Sequence, residues 1–228
     1  MRVKVWLMAI GIGLTVSTAH AGSLDGVSGQ LGIGVTSLNS KVTTDCGGVC
    51  GTLGGGAGST GVLGNVAVGY SYALPSSFNL AANVFYNFGS SGSGNLNSSN
   101  ILSQTNPPAP IDRQYKLTNM WGVSVEPGYY LTEKLLGFAK LGWAQAGQHV
   151  SVDGPLGNDY VASGNYNKRV NGFLYGVGMK HMLTDHVFVG IEAYQVKFQA
   201  ARLKDQYGDF VLASSAFTYG GIEVGYKF

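Results

Sequence analysis

Two residues in the second half of the chain carry the side chains of a nucleophile and its base. His149 and Ser151 are two positions apart, and in an extended strand that spacing places both side chains on one face. A serine hydroxyl becomes a nucleophile when a base within hydrogen-bond reach takes its proton and an acid orients that base. Asp153 and Asp159 are the candidate acids. Because a lone His-x-Ser pair arises easily by chance, and no GxSxG, P-loop or dinucleotide motif accompanies it, we do not expect an enzyme.

Residues 1–21 have the organisation of a secretory signal peptide. Arg2 and Lys4 precede an apolar stretch, and small residues close the segment at Ala21. An uncleaved membrane anchor is the weaker alternative, because the apolar stretch is too short to span a bilayer comfortably. We expect cleavage after Ala21, with residues 22–228 forming one mature domain.

Charge is sparse and balanced in the mature chain. Loss of Arg2 and Lys4 reduces the 14 Lys and Arg residues to 12, which equals the 12 Asp and Glu residues. A neutral chain with 11% charged residues offers no basic field for nucleic acid. No run of about 18 apolar residues follows the signal peptide, which excludes a helical membrane protein. An all-β protein remains, either secreted and soluble or in an outer membrane.

The two cysteines, Cys46 and Cys50, lie in the short stretch CGGVC. In an exported protein, an even count and close spacing favour a disulfide. Metal binding is the alternative, but no His or Cys partner completes a four-ligand site. We therefore expect a disulfide that fixes the tip of a loop, and neither a metal nor a cofactor.

Eight segments after residue 21 alternate apolar and polar residues with the period of a β-strand. In the last of them Ile222, Val224, Tyr226 and Phe228 share the apolar face. The seventh is less regular, and its pattern predicts a β-bulge after Tyr194. The first three are each long enough to cross a bilayer, for which about 9 to 11 tilted residues suffice. The segments begin at Val27, Val62, Phe78, Asn119, Leu136, Asn171, Val187 and Ala216.

The connections between these segments alternate between short and long. Short ones follow the second, fourth and sixth strands, whereas the others are rich in Gly, Ser, Asn, Asp and Pro, as surface loops are. We place the long loops roughly at residues 39–60, 89–112, 149–168 and 201–213. A secreted β-sandwich would lack this asymmetry. The pattern predicts an eight-stranded antiparallel up-and-down transmembrane β-barrel, with short turns at one end and long loops at the other.

The two faces of the strands predict different surroundings. An eight-stranded barrel has an interior just wide enough for its own side chains, so we expect a filled lumen with ion pairs, Lys140 meeting Glu126 or Glu223. A gated ion or proton path is the alternative. The polar face carries three charges of each sign, Glu126, Lys140, Lys180, Glu192, Glu223 and Lys227. The lipid face carries aromatic residues near strand ends, which predict interfacial girdles: Tyr70, Tyr72, Phe78, Tyr129, Trp143, Tyr226 and Phe228.

The end of the chain carries a family resemblance. The alternation of Ile222, Val224 and Tyr226 before a terminal Phe228 resembles the carboxy-terminal signal by which outer-membrane barrels are recognised for insertion. Together with the stretch VEPGYYLTEKLLGFAKLGW and the YxL or HML turns, the mature chain is similar to the eight-stranded family of the OmpA barrel, OmpX and Ail, and the opacity-protein-like surface antigens. The resemblance implies an outer-membrane location, with membrane lipid and lipopolysaccharide as neighbours and the barrel-assembly machinery as a transient partner.

Any specific activity of such a barrel would reside in its outer loops, because loops on a rigid scaffold usually carry function. The resemblance implies a surface-exposed structural or interaction protein, adhesin-like or serving envelope integrity, and the sequence names no ligand. A narrow porin-like channel is the second hypothesis. A lipid-modifying enzyme is the third, since His149-Val150-Ser151 also resembles the lipid A deacylase barrels, although its flanking residues do not match that family. Loop contacts, mutations of the lumen charges and the variant Ser151→Ala would distinguish the three.

Overall fold

Nine β-strands make up most of the described part of the chain. The computed structural model describes residues 24–45, 52–92, 112–155, 161–204 and 210–228. No helix within these ranges is long and apolar enough to cross a membrane. The strands are Gly26–Asp45 (β1), Thr52–Ala73 (β2), Phe78–Gly92 (β3), Asp112–Thr132 (β4), Leu135–Pro155 (β5), Val161–Met182 (β6), Val187–Phe198 (β7), Ala201–Lys204 (β8) and Phe210–Lys227 (β9).

Eight of these strands close a barrel. From β1 to β7 each strand pairs antiparallel with the next, β7 pairs with β9, and β9 pairs back with β1 through Ile33 and Ile222. The four-residue β8 pairs with the first residues of β9, and β7 pairs with the rest of β9 along the same edge. The predicted all-β, eight-stranded up-and-down barrel is therefore confirmed, with β8 as a short continuation of β7.

The barrel wall is apolar outside and largely polar inside. Exposure alternates residue by residue, as the period of a strand requires. Ile33 and Val35 on the outer face are 57% and 66% exposed, whereas Glu126 and Lys140 inside are 2% and 1% exposed. This arrangement would be unfavourable in water, because the apolar outer face would be exposed to solvent. Lipid around the wall removes that penalty.

The three short turns lie at one end of the barrel. In the first, Ser76 and Ser77 have φ of 62° and 67°, and the amide of Leu74 donates to the carbonyl of Phe78 at 2.8 Å. In the other two, Thr132 and Thr184 use their side-chain hydroxyls to accept backbone N–H groups of their own turns. These local bonds satisfy the backbone where strand pairing stops.

At the opposite end the strands run further than predicted. Pairing of β1 with β2 continues to Asp45 and Thr52, and pairing of β5 with β6 continues to Pro155 and Val161. The loops placed at 39–60 and 149–168 were therefore wrong in extent, and residues 201–213 contain β8 and the start of β9. Alternation in a barrel sequence marks contact with lipid on one face. Toward the outer end the outward positions become polar, as at Gln195 and Lys197 of β7, so the apolar outer face that marks a barrel strand in the sequence is lost.

The predicted bulge in β7 is also wrong. Pairing of β6 with β7 runs without a register shift from Gly172 and Phe198 to Met182 and Phe188. The alternation blurs because the two faces exchange character at the outer end of β7. Tyr194 faces inward there and polar residues face outward, whereas closer to the short turns the apolar residues face outward. Register shifts occur instead in β3 and β4, where Asn119 has a φ of 51°.

Candidate functional sites in the lumen and on the wall

Five ionic side chains meet inside the barrel, each from a different strand. They occupy inward-facing positions, and the residues paired beside them on neighbouring strands are mostly glycines: Gly176 lies beside Lys140, and Gly190 lies beside both Lys180 and Glu223. A Cβ at Gly190 would stand 2.6 Å from Glu223 Oε1. Because glycine has no side chain, these positions leave space that the long ionic side chains occupy. The buried ion cluster consists of Glu126, Lys140, Lys180, Glu192 and Glu223.

Each lysine of the buried ion cluster bridges two carboxylates. Lys140 Nζ lies 2.5 Å from Glu192 Oε2 and 3.4 Å from Glu126 Oε1. Lys180 Nζ lies 2.9 Å from Glu126 Oε2 and 3.8 Å from Glu223 Oε1. Glu126 thus joins the two lysines into one chain of contacts. Buried charges need such partners, because each loses its hydration on folding.

Aromatic rings pack against both lysines of the cluster. Lys140 Nζ lies 5.5 Å from the ring centre of Phe85 and 5.1 Å from that of Tyr194. Lys180 Nζ lies 4.8 Å and 5.7 Å from the rings of Phe138 and Phe188. These distances are in the range of cation–π attraction. Rings and ion pairs therefore pack against each other at this level of the lumen.

The charges of the buried ion cluster do not balance. It contains three carboxylates and two ammonium groups, so its formal charge is negative by one. Glu223 has the longest of the ion contacts, and its Oε2 accepts a hydrogen bond of 2.8 Å from Gln30 Nε2. The neutral amide donor stabilises this carboxylate without adding a positive charge.

A neutral hydrogen-bonded chain continues toward the outer end. Asn65 Nδ2 donates to Asn87 Oδ1 at 2.5 Å, and Asn87 Nδ2 donates to the hydroxyl oxygen of Tyr194 at 2.7 Å. The Tyr194 ring stacks on Tyr219 with centres 4.9 Å apart. Sequence reasoning missed Tyr194 as a lumen residue. An uninterrupted period of two along β7 would have placed it beside Glu192 on the inward face.

The remaining predicted site residues lie apart from the cluster. Lys227 is at the turn end of β9, where its carbonyl oxygen lies 3.0 Å from Nδ1 of His186. The residues of the expected insertion signal, Ile222, Val224, Tyr226 and Phe228, all face outward and are 47% to 76% exposed. Cys46 and Cys50, like the expected signal peptide at residues 1–21, lie outside the described residues.

The His-x-Ser pair lies on the outer part of β5. His149 is exposed on the outward face, and the backbone places Ser151 at the next outward position, paired with Gln114 on β4 and Asn165 on β6. Asp153 follows two residues later in the same strand. Asp159 lies outside the described residues. The expectation that this chain is not an enzyme therefore stays a prediction.

Comparison with known proteins agrees with the architecture. A model of the family described as the outer membrane protein beta-barrel domain matches residues 7–228. The chain belongs to this outer-membrane β-barrel family. Its members are outer-membrane proteins, so the predicted location is confirmed together with the predicted family. No curated protein matches the chain.

Solved structures of other barrels are similar to the chain at low sequence identity. The attachment invasion locus protein Ail of Yersinia pestis is 13% identical, with 87% of this chain and 99% of that chain covered and a TM-score of 0.35. The outer membrane protease OmpT from Escherichia coli is 10% identical, with coverages of 94% and 100% and a TM-score of 0.47. The outer membrane protein OprG from Pseudomonas aeruginosa is 9% identical, with coverages of 90% and 97% and a TM-score of 0.45.

Proposed function

We propose that this outer-membrane barrel is a closed scaffold, cleaved after Ala21, that acts as a surface-exposed structural or interaction protein through its outer hairpins. The observation that carries the proposal is the filling of the lumen. The buried ion cluster spans five adjacent strands and is packed against aromatic rings on both of its lysines. A barrel filled in this way offers its outer end, and not its interior, to other molecules.

The proposal is tested first by the conductance of the refolded mature chain in a planar bilayer. We expect no discrete current steps from wild type once insertion is verified by the heat-modifiable mobility of the folded barrel. Glu223→Gln should be equally silent, because it removes the excess carboxylate and leaves the aromatic layers in place. Regular steps from wild type would overturn the closed scaffold.

The contribution of the outer end is tested by shortening one hairpin. Residues 93–111 connect β3 to β4 and lie outside the described residues. A variant in which a short Gly-Ser linker replaces them should assemble normally, because both flanking strands keep their partners within the barrel. We expect this variant to lose attachment to host-type surfaces, or resistance to bile salts, in a strain where the intact chain confers it. Full retention of both properties would count against a role for this hairpin.

A narrow channel is the second candidate, and the lysine positions favour it. Lys180 Nζ lies 2.9 Å from one carboxylate and 3.8 Å from another. A small movement of the Lys180 ammonium group from Glu126 toward Glu223 would exchange its ion-pair partner. Such a movement could open a path beside the cluster. In that case wild type would conduct in discrete steps, and Glu223→Gln would change their frequency or size.

The third hypothesis, a lipid-modifying enzyme, has a separate test. The mature chain would be incubated with lipid A, and released fatty acid would be measured for wild type and for Ser151→Ala. Under the closed-scaffold proposal we expect no release by either protein. Release of fatty acid by wild type that is lost in Ser151→Ala would show that the barrel is an enzyme.

A further inference from the structure

The first described residues of the chain enter the lumen at the turn end of the barrel. Gly26 begins β1 with a φ of 112°, a backbone conformation that residues with a Cβ rarely adopt. Before this bend Leu24 is 4% exposed, because it packs among apolar side chains that face inward where β5, β6 and β7 meet the short turns. These side chains are Leu136, Met182 and Phe188. We call residues 24–26 the N-terminal segment.

Two hydrogen bonds attach the N-terminal segment to the barrel. The backbone amide of Leu24 donates to the hydroxyl oxygen of Tyr130 at 2.7 Å. The backbone amide of Ala73 donates to Asp25 Oδ1 at 3.2 Å. The Tyr130 ring also packs against the apolar side chains around Leu24. The segment is therefore held by β2 and β4 as well as by its own burial.

A small polar chamber lies between the N-terminal segment and the buried ion cluster. Its volume is about 10 Å³, which is roughly the space that one water molecule needs. Leu24 and Phe188 line it toward the turns, and Glu126 and Lys180 line it toward the cluster. Of its lining residues all but Ser28 are buried. The apolar contacts of Leu24 thus separate the chamber from the turn end.

Two amide groups in the chamber have donors that need an acceptor. Asn79 and Asn83 are 2% and 6% exposed, and the Nδ2 atom of each has no hydrogen-bond partner within the described part of the chain. The Asn79 amide is oriented by Ser71, whose hydroxyl donates to Asn79 Oδ1 at 2.9 Å. Asn83 Oδ1 lies over Gly69, where a Cβ would overlap with it. Because an unpaired buried donor is costly, we expect an acceptor in the chamber.

The chemistry of the lining identifies this acceptor. A cation would be repelled by Lys180 and would leave both amide donors unpaired. An anion would add to the excess negative charge of the buried ion cluster, and the volume excludes a larger molecule. A water molecule accepts from the amides and donates in turn to the carboxylate of Glu126, whose Oε1 has no hydrogen-bond partner among the described residues.

We propose that the chamber binds a single water molecule and that the N-terminal segment is the stopper that seals it from the periplasm, which the short turns of such barrels face. The stopper keeps bulk water from the Lys180–Glu126 ion pair, whose atoms are 2.9 Å apart, and a buried pair is screened far less than one in contact with solvent. The inference rests on the closed scaffold and names the element that closes its turn end.

The stopper is tested by hydrogen exchange in the full mature chain folded in maltoside micelles. After transfer to deuterated water, nuclear magnetic resonance follows the side-chain amide protons of Asn79 and Asn83. Leu24→Ala should speed their exchange about tenfold or more, because local openings become more frequent where buried apolar contacts are lost. Leu183→Ala removes a 52% exposed leucine from a short turn and should change the exchange by less than about twofold.

Tyr130→Phe is a milder second variant. It keeps the ring and removes the hydroxyl that accepts the Leu24 amide, so it should speed the exchange about threefold. It decides the test if Leu24→Ala fails to fold. Equal exchange rates in Leu183→Ala and in the stopper variant would overturn the stopper.

The water molecule itself is tested in a crystal structure of the wild-type mature barrel. One water should lie about 2.7–3.2 Å from Nδ2 of both Asn79 and Asn83, and a chamber without it would overturn the proposal. The exposed side chain of Asn39 provides an internal reference for exchange. If Asn79 and Asn83 exchange as fast as Asn39 in wild type while planar bilayers stay silent, the stopper is wrong and the closed scaffold stands. Current steps from wild type would overturn both.

Discussion

Lys140 Nζ lies 2.5 Å from Glu192 Oε2 across the barrel interior, and both side chains are 2% exposed. Lys140→Met would remove the only ammonium group within ion-pair distance of Glu192 in the described cluster. An unpaired buried charge commonly destabilises a protein by about 3–5 kcal/mol. We expect a loss of that size in the free energy of unfolding, measured by urea titration in lipid vesicles.

Two further variants isolate the cause of this loss. Lys134→Met removes an exposed lysine from a short turn and should change the free energy of unfolding by less than about 0.5 kcal/mol. The double variant Lys140→Met with Glu192→Gln should recover part of the loss, because it no longer leaves Glu192 as an unpaired charge. A double variant as unstable as the sum of its two single variants would contradict the ion pair.

Phe188 closes the lumen near the turn end. It is 1% exposed, packs with Leu24, Leu136 and Met182, and places its ring 5.7 Å from Lys180 Nζ. Phe188→Ala should destabilise the barrel by about 3–5 kcal/mol through the cavity that it leaves. Val189→Ala is the matched control, because its side chain faces outward and lipid replaces the lost methyl groups. Urea unfolding compares the two, and equal losses would refute a packed plug at this level.

The sequence specifies the faces of this barrel better than its contacts. A period of two is enough to assign Glu126 and Lys140 to the lumen, because a strand position determines the side to which a residue points. It does not determine the register between strands. The nearest partner of Lys140 is consequently Glu192, while Glu223 contacts Lys180 instead. Pairing across β5, β6 and β7, which produces this choice, involves residues far apart in sequence.

The outer end was the least predictable part for a related reason. Toward the outer end the outward positions are polar, so the apolar outer face that indicates a barrel strand is missing. In β5, for example, these positions hold His149, Ser151 and Asp153. The same end has a register shift of β4 near Asn119 and a cross-strand approach of Arg169 to Gln145. Neither a local pattern nor a motif in the sequence indicates them.

Two glycines of the wall should respond in opposite ways to alanine. A Cβ at Gly176 would meet the carbonyl oxygen of Ala193 and, at 2.5 Å and 2.7 Å, the Cβ and Cα of Tyr194. These atoms are backbone or fixed to it, so Gly176→Ala should destabilise by about 1–3 kcal/mol. A Cβ at Gly220 would have no atom within 4 Å.

The Gly220→Ala variant should be neutral, or stabilise by up to about 1 kcal/mol, because alanine restricts the unfolded chain more than glycine does. The midpoint of urea unfolding compares it with Gly176→Ala under identical conditions. Similar midpoints for the two variants would contradict the close approach of β7 to Gly176.

The terminal Phe228 offers a way to separate recognition during insertion from packing in the folded barrel. Its ring is 76% exposed and meets Tyr226 edge-on at 5.2 Å, and its backbone amide donates to the carbonyl of Val27 whatever the side chain is. Phe78 is a close match, since it is 53% exposed and meets Tyr129 edge-on at the same distance. In refolded protein, Phe228→Ala and Phe78→Ala should therefore change stability by similar small amounts, about 0.5–1.5 kcal/mol for the lost ring pair.

In cells the two variants should differ. If Phe228 is read as an insertion signal, Phe228→Ala should lower the heat-modifiable, membrane-assembled fraction several-fold, while Phe78→Ala should leave it near the wild-type value. The comparison is made at equal expression, with the unassembled chain measured in the soluble fraction. Equal assembled fractions for the two variants would contradict a role of Phe228 as an insertion signal, because the similar stabilities of the two variants would then explain their similar assembly.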